Sequence, residues 1–258
     1  MYVLGIDIGS ASSKAVILED GGHIRASAVI QSGTGSSGPR KVLEEVFGHS
    51  GLRRQDMSRV VATGYGRYHA QTDSQISEIT CHAKGVHFLF PSARTVLDIG
   101  GQDAKAISIN EKGRVLSFFM NEKCAAGTGR FLEVMSRILE VPLEEMGAHD
   151  ALAKEPVTVS STCTVFAESE VISLLSQGAR KDDIIRGVHD SVVSRAAGLL
   201  YRTEMAPDFV FTGGVAKNAG VVRSLERELK HPVLVSEQAQ LTGAIGAALL
   251  AWEQASND

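Results

Sequence analysis

Two stretches of the chain repeat one alternation of apolar runs and small polar turns. Residues 3–8 and 95–99 are short β-branched runs of the kind that pair as strands. Each runs into the same word: Asp7-Ile8-Gly9-Ser10-Ala11-Ser12-Ser13-Lys14-Ala15 in one copy, Asp98-Ile99-Gly100-Gly101-Gln102-Asp103-Ala104-Lys105-Ala106 in the other. The copies align without a gap at an offset of 91 residues. A further apolar strand follows each. Then comes a turn, Asp20-Gly21-Gly22 before a strand at 23–30 and Glu111-Lys112-Gly113 before one at 114–120. A period this long is no solenoid unit. It predicts two related lobes with a cleft between them.

Helical spacing fills most of the remainder. Helices are predicted over 41–47 and 79–90, and over 129–139, where Phe131, Leu132, Met135, Ile138 and Leu139 share a stripe. Others are predicted over 165–175, closing at Gly178, and over 184–200. A strand at 209–211 enters Thr212-Gly213-Gly214-Val215-Ala216-Lys217-Asn218, followed by a helix through Leu225, a strand at 233–235 and an Ala/Gly-rich helix over 241–252. Strands and helices mix within each half, so the class is α/β. The stretch 33–38, Gly-Thr-Gly-Ser-Ser-Gly, reads as a surface loop.

Composition narrows the options. The 258 residues carry 26 basic and 30 acidic side chains, a net charge of −4, which offers no field for nucleic acid or a membrane surface. No apolar run approaches the ~18 residues of a membrane span. Three cysteines are too few for a disulfide scaffold, which predicts a reduced, cytoplasmic setting.

The glycine turns suit phosphate. A hairpin tip of Gly9, Ser10, Ala11, Ser12 and Ser13 exposes backbone N–H groups, with hydroxyls beside them and Lys14 as a counter-charge. Gly100 and Gly101 form the second tip, and Gly213, Gly214 and Lys217 belong to a third turn. Asp7 and Asp98 each close a strand, where a carboxylate can hold a hydrated Mg²⁺. Gln102 and Asp103 are placed to orient an attacking water. One Asp-x-Gly alone would be ordinary turn chemistry. Two copies in register, with a third Gly-Gly turn, favour a nucleotide.

The segments 5–10, 97–101 and 211–216 resemble the two phosphate motifs and the adenosine motif of the actin-like, sugar-kinase and heat-shock-chaperone ATPases, and 243–248 resembles their second connecting helix. That resemblance implies a two-lobed actin-like (ribonuclease H-like) fold with an internal duplication, a five-stranded sheet per lobe, and ATP or ADP with Mg²⁺ in the inter-lobe cleft. The first lobe would be 1–93, rejoined by the C-terminal helix 241–256. The second would be 94–240.

The cysteines divide the members of that group. Cys124 and Cys163 each stand immediately before a predicted helix, where the helix dipole stabilises a thiolate. Two thiolates per chain are half of what an iron–sulfur cluster commonly takes, so a twofold pair of chains would complete the set. Inert buried cysteines, or zinc shared across a dimer, remain open on spacing alone. The words Lys123-Cys124-Ala125-Ala126-Gly127-Thr128-Gly129-Arg130-Phe131 and Cys163-Thr164-Val165-Phe166-Ala167-Glu168-Ser169-Glu170 closely resemble the activator component of 2-hydroxyacyl-CoA dehydratases, in the BadF/BadG/BcrA/BcrD ATPase family. The resemblance implies a homodimer holding one [4Fe-4S] cluster on Cys124 and Cys163 of each chain. It also implies a ferredoxin or flavodoxin-type reductant upstream, and ATP-driven transfer of one electron to a partner dehydratase. Alternatives on the same fold are the ATPase subunit of a benzoyl-CoA-type reductase, a small-molecule kinase, or a non-redox ATPase switch. Cys81 reads as structural or interfacial, and the histidines at 49, 69, 82, 87, 149 and 189 as solvated or satisfied surface groups.

Overall fold

The computed structural model describes residues 1–160 and 163–257. In chain order the elements begin with β1 (Tyr2–Ile8), β2 (Ser13–Glu19), β3 (His23–Ile30), α1 (Gly38–Ser50), β4 (Met57–Thr63), β5 (Ser74–Gln75) and α2 (Glu78–Leu89). There follow β6 (Thr95–Ile99), β7 (Ala104–Ile109), β8 (Val115–Asn121), α3 (Gly129–Leu139), α4 (Met146–Ala151), α5 (Thr164–Ser176) and α6 (Lys181–Leu200). The chain closes with β9 (Phe209–Thr212), α7 (Ala219–Leu229), β10 (Val233–Leu234) and α8 (Thr242–Ala255).

Two compact units result. One holds Met1–Arg94, Ile109–Leu116 and the chain from Ser236 onward; the other holds Thr95–Ser108 and Ser117–Val235. Two five-stranded sheets run in the orders β3-β2-β1-β4-β5 and β10-β9-β6-β7-β8. Read by position, β1 corresponds to β6, β2 to β7, β3 to β8, β4 to β9 and β5 to β10. The pairings agree too. β1 is antiparallel to β2 and parallel to β4, and β6 is antiparallel to β7 and parallel to β9. The 91-residue repeat thus folds as two copies of one sheet.

In the first unit β1 is buried on both faces. Leu4, Ile6 and Ile8 join Val42 and Val46 of α1, while Val3 joins Val61, Ala244 and Ala248 under α8. Asp7 lies on the α8 face by the two-residue period of the strand. Small residues set how closely α8 can lie. A Cβ on Gly246 would collide with the Cys81 carbonyl, and one on Gly85 with the Thr242 carbonyl, so α2 and α8 touch backbone to backbone.

Several expectations change. β4 and α4 were not foreseen, the predicted strand at 233–235 is the two-residue β10, and α1 begins at Gly38, inside the stretch read as a surface loop. Pro39 in the first turn suits a helix start there, since its missing N–H has no intrahelical partner to lose. Gly33, at the other end of that stretch, is buried rather than on the surface. Gly178 does adopt φ +84° directly after the Gln177 cap of α5, and its N–H bonds the Leu175 carbonyl.

Candidate functional site

In the first unit the β1–β2 hairpin opposes Asp7 to Lys14, and Lys14 Nζ lies 3.1 Å from Asp7 Oδ2. The tip closes through Gly9 N–H to the Ser12 carbonyl at 3.0 Å. Ser13, fully buried, donates its hydroxyl to the Ser32 carbonyl at 2.9 Å, so it fastens the 31–38 segment to the hairpin. That segment is part of the turn's support. Thr34 N–H donates to the Gly9 carbonyl at 2.9 Å, and Gly33 passes so close to the Ser10 carbonyl that no Cβ would fit.

Two further glycines, unremarked as site residues in the sequence, shape the space around Asp7. Gly64 ends β4 with φ +85°, a conformation L-residues with side chains rarely take, and a Cβ there would strike Asp7 Oδ1. A Cβ on Gly243 would stand 3.0 Å from Asp7 Oδ2 and 3.3 Å from His82 Nε2. His82 is buried and its Nδ1 pairs with Thr242 Oγ1 at 3.0 Å, which corrects its reading as a surface histidine. Asp7 is therefore a nearly buried carboxylate kept uncrowded by glycines on two sides.

The second unit repeats the pair. Asp98 opposes Lys105, whose Nζ lies 3.3 Å from Asp98 Oδ2 and 2.8 Å from Asp103 Oδ2. Lys105 is 2% exposed. It missed selection in the sequence although the same offset pairs it with Lys14. Thr212, opposite Asp98 in the parallel β6–β9 register, donates to Asp98 Oδ1 at 2.8 Å. Thr63 stands opposite Asp7 in the corresponding β1–β4 register. The tip closes through Gly100 N–H to the Asp103 carbonyl at 2.9 Å, and Gln102 is exposed on it. Beyond β9, Gly214–Lys217 makes a 3₁₀ turn with Lys217 exposed, and Asn218 caps α7 by accepting from Gly220 and Val221 N–H.

The second tip also grips the helix after Cys124. Gly129 N–H donates to the Gly100 carbonyl at 2.9 Å, and Arg130 N–H to the Gly101 carbonyl at 2.8 Å. The first-turn donors of α3 thus find partners in the glycine turn. Cys124 is exposed in the loop ahead, which Asn121 staples: its Oδ1 accepts from Cys124 N–H at 3.2 Å and its Nδ2 donates to the Cys124 carbonyl at 2.8 Å. The N-cap of α3 is Thr128, so Cys124 is not at a helix start. A dipole decays within about one turn, and its help falls mainly to Cys163, the exposed N-cap residue of α5. Cys81 is different. Burial pushes its thiol up to about 12, well outside the thiolate range of ligands and nucleophiles.

Among the described residues no three His, Cys, Asp or Glu side chains gather as a metal site. Two exposed thiols per chain fit a cluster completed by a second copy. Two low-exposure carboxylates, each already balanced by one lysine, fit outer-sphere contact with a hydrated Mg²⁺. No helix among these residues is long and apolar enough to cross a membrane.

The profile of the BadF/BadG/BcrA/BcrD ATPase family matches residues 4–251. The chain is 61% identical to the activator of lactoyl-CoA dehydratase of Anaerotignum propionicum, over 99% of each chain. It is 50% identical to the (R)-2-hydroxyglutaryl-CoA dehydratase activating ATPase of Acidaminococcus fermentans, again over 99% of each. The solved activator of the 2-hydroxyisocaproyl-CoA dehydratase from Clostridium difficile, with bound ADPNP, superposes with a TM-score of 0.97 at 52% identity, covering 100% of this chain and 96% of that one. A ROK-family glucokinase from Streptomyces griseus, 12% identical, shares the fold alone at a TM-score of 0.58, covering 98% and 100%.

Proposed function

The chain belongs to the BadF/BadG/BcrA/BcrD ATPase family, and on that premise we propose that it activates a 2-hydroxyacyl-CoA dehydratase by coupling ATP hydrolysis to delivery of one low-potential electron. The carrying observation is the double hydrogen bond from Gly129 and Arg130 to Gly100 and Gly101. It joins a glycine turn suited to phosphate to the helix that follows an exposed cysteine.

In this reading the hairpin tips 9–14 and 100–103 and the turn at Gly213, Gly214 and Lys217 hold the nucleotide. Asp7 and Asp98 would anchor the waters of Mg²⁺, while Lys14 and Lys105 hold those carboxylates in place. Gln102 and Asp103 orient the attacking water, Asp103 being steadied by Lys105 at 2.8 Å. Cys124 and Cys163 of two copies hold a [4Fe-4S] cluster, which when bound supplies a one-electron couple tuned by charge, hydrogen bonds and exposure. The copies meet along α5, which presents Val165, Phe166 and Ile172 at 66, 69 and 49% exposure beside Cys163. A ferredoxin or flavodoxin-type reductant would supply that electron, and the dehydratase would accept it. A shift of the second tip on loss of the γ-phosphate is passed to α3 through its two N–H bonds.

The test is iron and acid-labile sulfide in the full chain purified without oxygen. About four of each per dimer are expected, falling together with dimer content in Cys124→Ser and Cys163→Ser. Zinc instead, or a full cluster in Cys163→Ser, overturns the ligand assignment. Equal reduction potentials with ADP and ATP overturn the coupling.

A further inference from the structure

A buried polar relay in the second unit takes no part in the roles assigned above. His189, in the middle of α6, is fully buried, with Nδ1 3.0 Å from Asp150 Oδ2 in α4 and Nε2 3.1 Å from Asn218 Nδ2. The directions of these bonds follow from Asn218. Its Oδ1 accepts from Gly220 and Val221 N–H at 2.9 and 3.3 Å, so the atom facing the imidazole is the amide nitrogen, which only donates. Nε2 must accept, and the ring proton sits on Nδ1 and is donated to Asp150.

Asp150 is held in turn. Its Oδ1 accepts from Arg223 Nη2 at 2.6 Å and Nε at 3.2 Å, and Arg186 Nε lies 3.9 Å from Oδ2. Burial pushes its carboxyl up, but the hydrogen bonds from His189 and Arg223 and the charge of Arg223 outweigh that and leave it below the usual carboxylate range. Gly220, against the His189 ring, leaves no space for a side chain. The far end of the relay is the turn that follows β9. Asn218 directly follows Lys217, and its own N–H bonds the Val215 carbonyl at 2.9 Å to close the Gly214–Lys217 turn. An asparagine cap needs no buried imidazole and carboxylate behind it, and burying such groups is costly. A rotamer locked from behind is what a binding turn does need.

We propose that Asp150, His189 and Asn218 are positioning residues for the adenosine turn 213–218, fixing it for the nucleoside part of the nucleotide. This rests on the reading of that turn given above. The relay touches neither hairpin tip, so its effect is selective for nucleoside over bare polyphosphate.

The experiment compares Mg²⁺–ADP and Mg²⁺–tripolyphosphate binding to the full chain by calorimetry. His189→Asn retains an amide donor toward Asp150 but loses the acceptor for Asn218. It is expected to weaken ADP about tenfold, the scale of one well-placed hydrogen bond, and tripolyphosphate by less than about twofold. His189→Gln, which can present an oxygen near the Nε2 position, is expected to restore ADP to within about threefold of the natural chain. If His189→Asn does not fold, Asn218→Ser keeps a capping oxygen, takes away the amide donor that reaches Nε2 and is expected to show the same selective loss. ADP binding unchanged in the variant that folds, or both ligands weakened equally, overturns the relay alone. A natural chain that binds tripolyphosphate but not ADP overturns the adenosine reading itself.

Discussion

Arg130 donates its backbone N–H to the Gly101 carbonyl at 2.8 Å, so the first turn of α3 and the second hairpin tip behave as one piece of backbone. A Cβ on Gly129 would stand 3.0 Å from the Gly100 oxygen and 3.4 Å from the Gly101 Cα. Gly129→Val is therefore expected to pry the helix from the tip. Hydrogen exchange reads the result: ADP slows exchange across 121–130 in the natural chain and fails to do so in the variant.

Lys105 lies between Asp98 and Asp103 with almost no access to water. Lys105→Met leaves the Asp98 carboxylate buried without its cation, a change that costs about 3–5 kcal/mol when a buried pair loses one partner. Thermal unfolding should show that loss. It should be smaller in Asp98→Asn/Lys105→Met, where the uncompensated charge is removed as well.

Asp7→Asn keeps the shape of the first hairpin and removes the charge proposed to anchor Mg²⁺. ATP hydrolysis is expected to fall on the order of 100-fold, the scale of losing one electrostatic contact to the transition state. Iron content should stay near that of the natural chain. A parallel fall in iron would show that the substitution disturbs more than the nucleotide turn.

Thiol labelling separates the cysteines. In metal-free chain at pH 8, Cys124 and Cys163 should react readily and Cys81 only after unfolding, because burial raises its thiol to about 12. The sign for stability follows. Burial favours the protonated thiol, so this contribution is complete below the ordinary value of 9.0 and is lost as pH rises through about 12. Cys81→Ala should unfold with a shallower alkaline slope.

Much of this arrangement was legible in the sequence because its signals are local. The paired Asp-Ile-Gly words fall on equivalent hairpins, and helix patterns such as 129–139 match α3 residue for residue. What escaped depends on distant parts of the chain. Gly33, Gly64 and Gly243 matter through backbones and a carboxylate they approach from three separate segments. β4 carries Ser58 and Arg59 among its apolar residues, and it becomes a central strand through parallel pairing with β1. Cys124 reads as standing directly before the helix over 129–139, yet four residues intervene, and Asn121 and Thr128 bond the carbonyls of 124–126 and hold a loop. His189 reads as a surface histidine, yet it is fully buried, because the partners that satisfy it lie 39 and 29 positions away.

The helix that completes the first unit comes after every strand of both sheets in the order of synthesis. By the time residue 235 has been made, every strand of the second sheet exists, whereas β1 and β4 still show Val3 and Val61 with α8 missing from above them. A polypeptide stalled or clipped before residue 242 would keep one complete sheet and leave the other with a bare, sticky side. Quality-control proteases would be expected to recognise that shortened product by the bare face of β1 and β4.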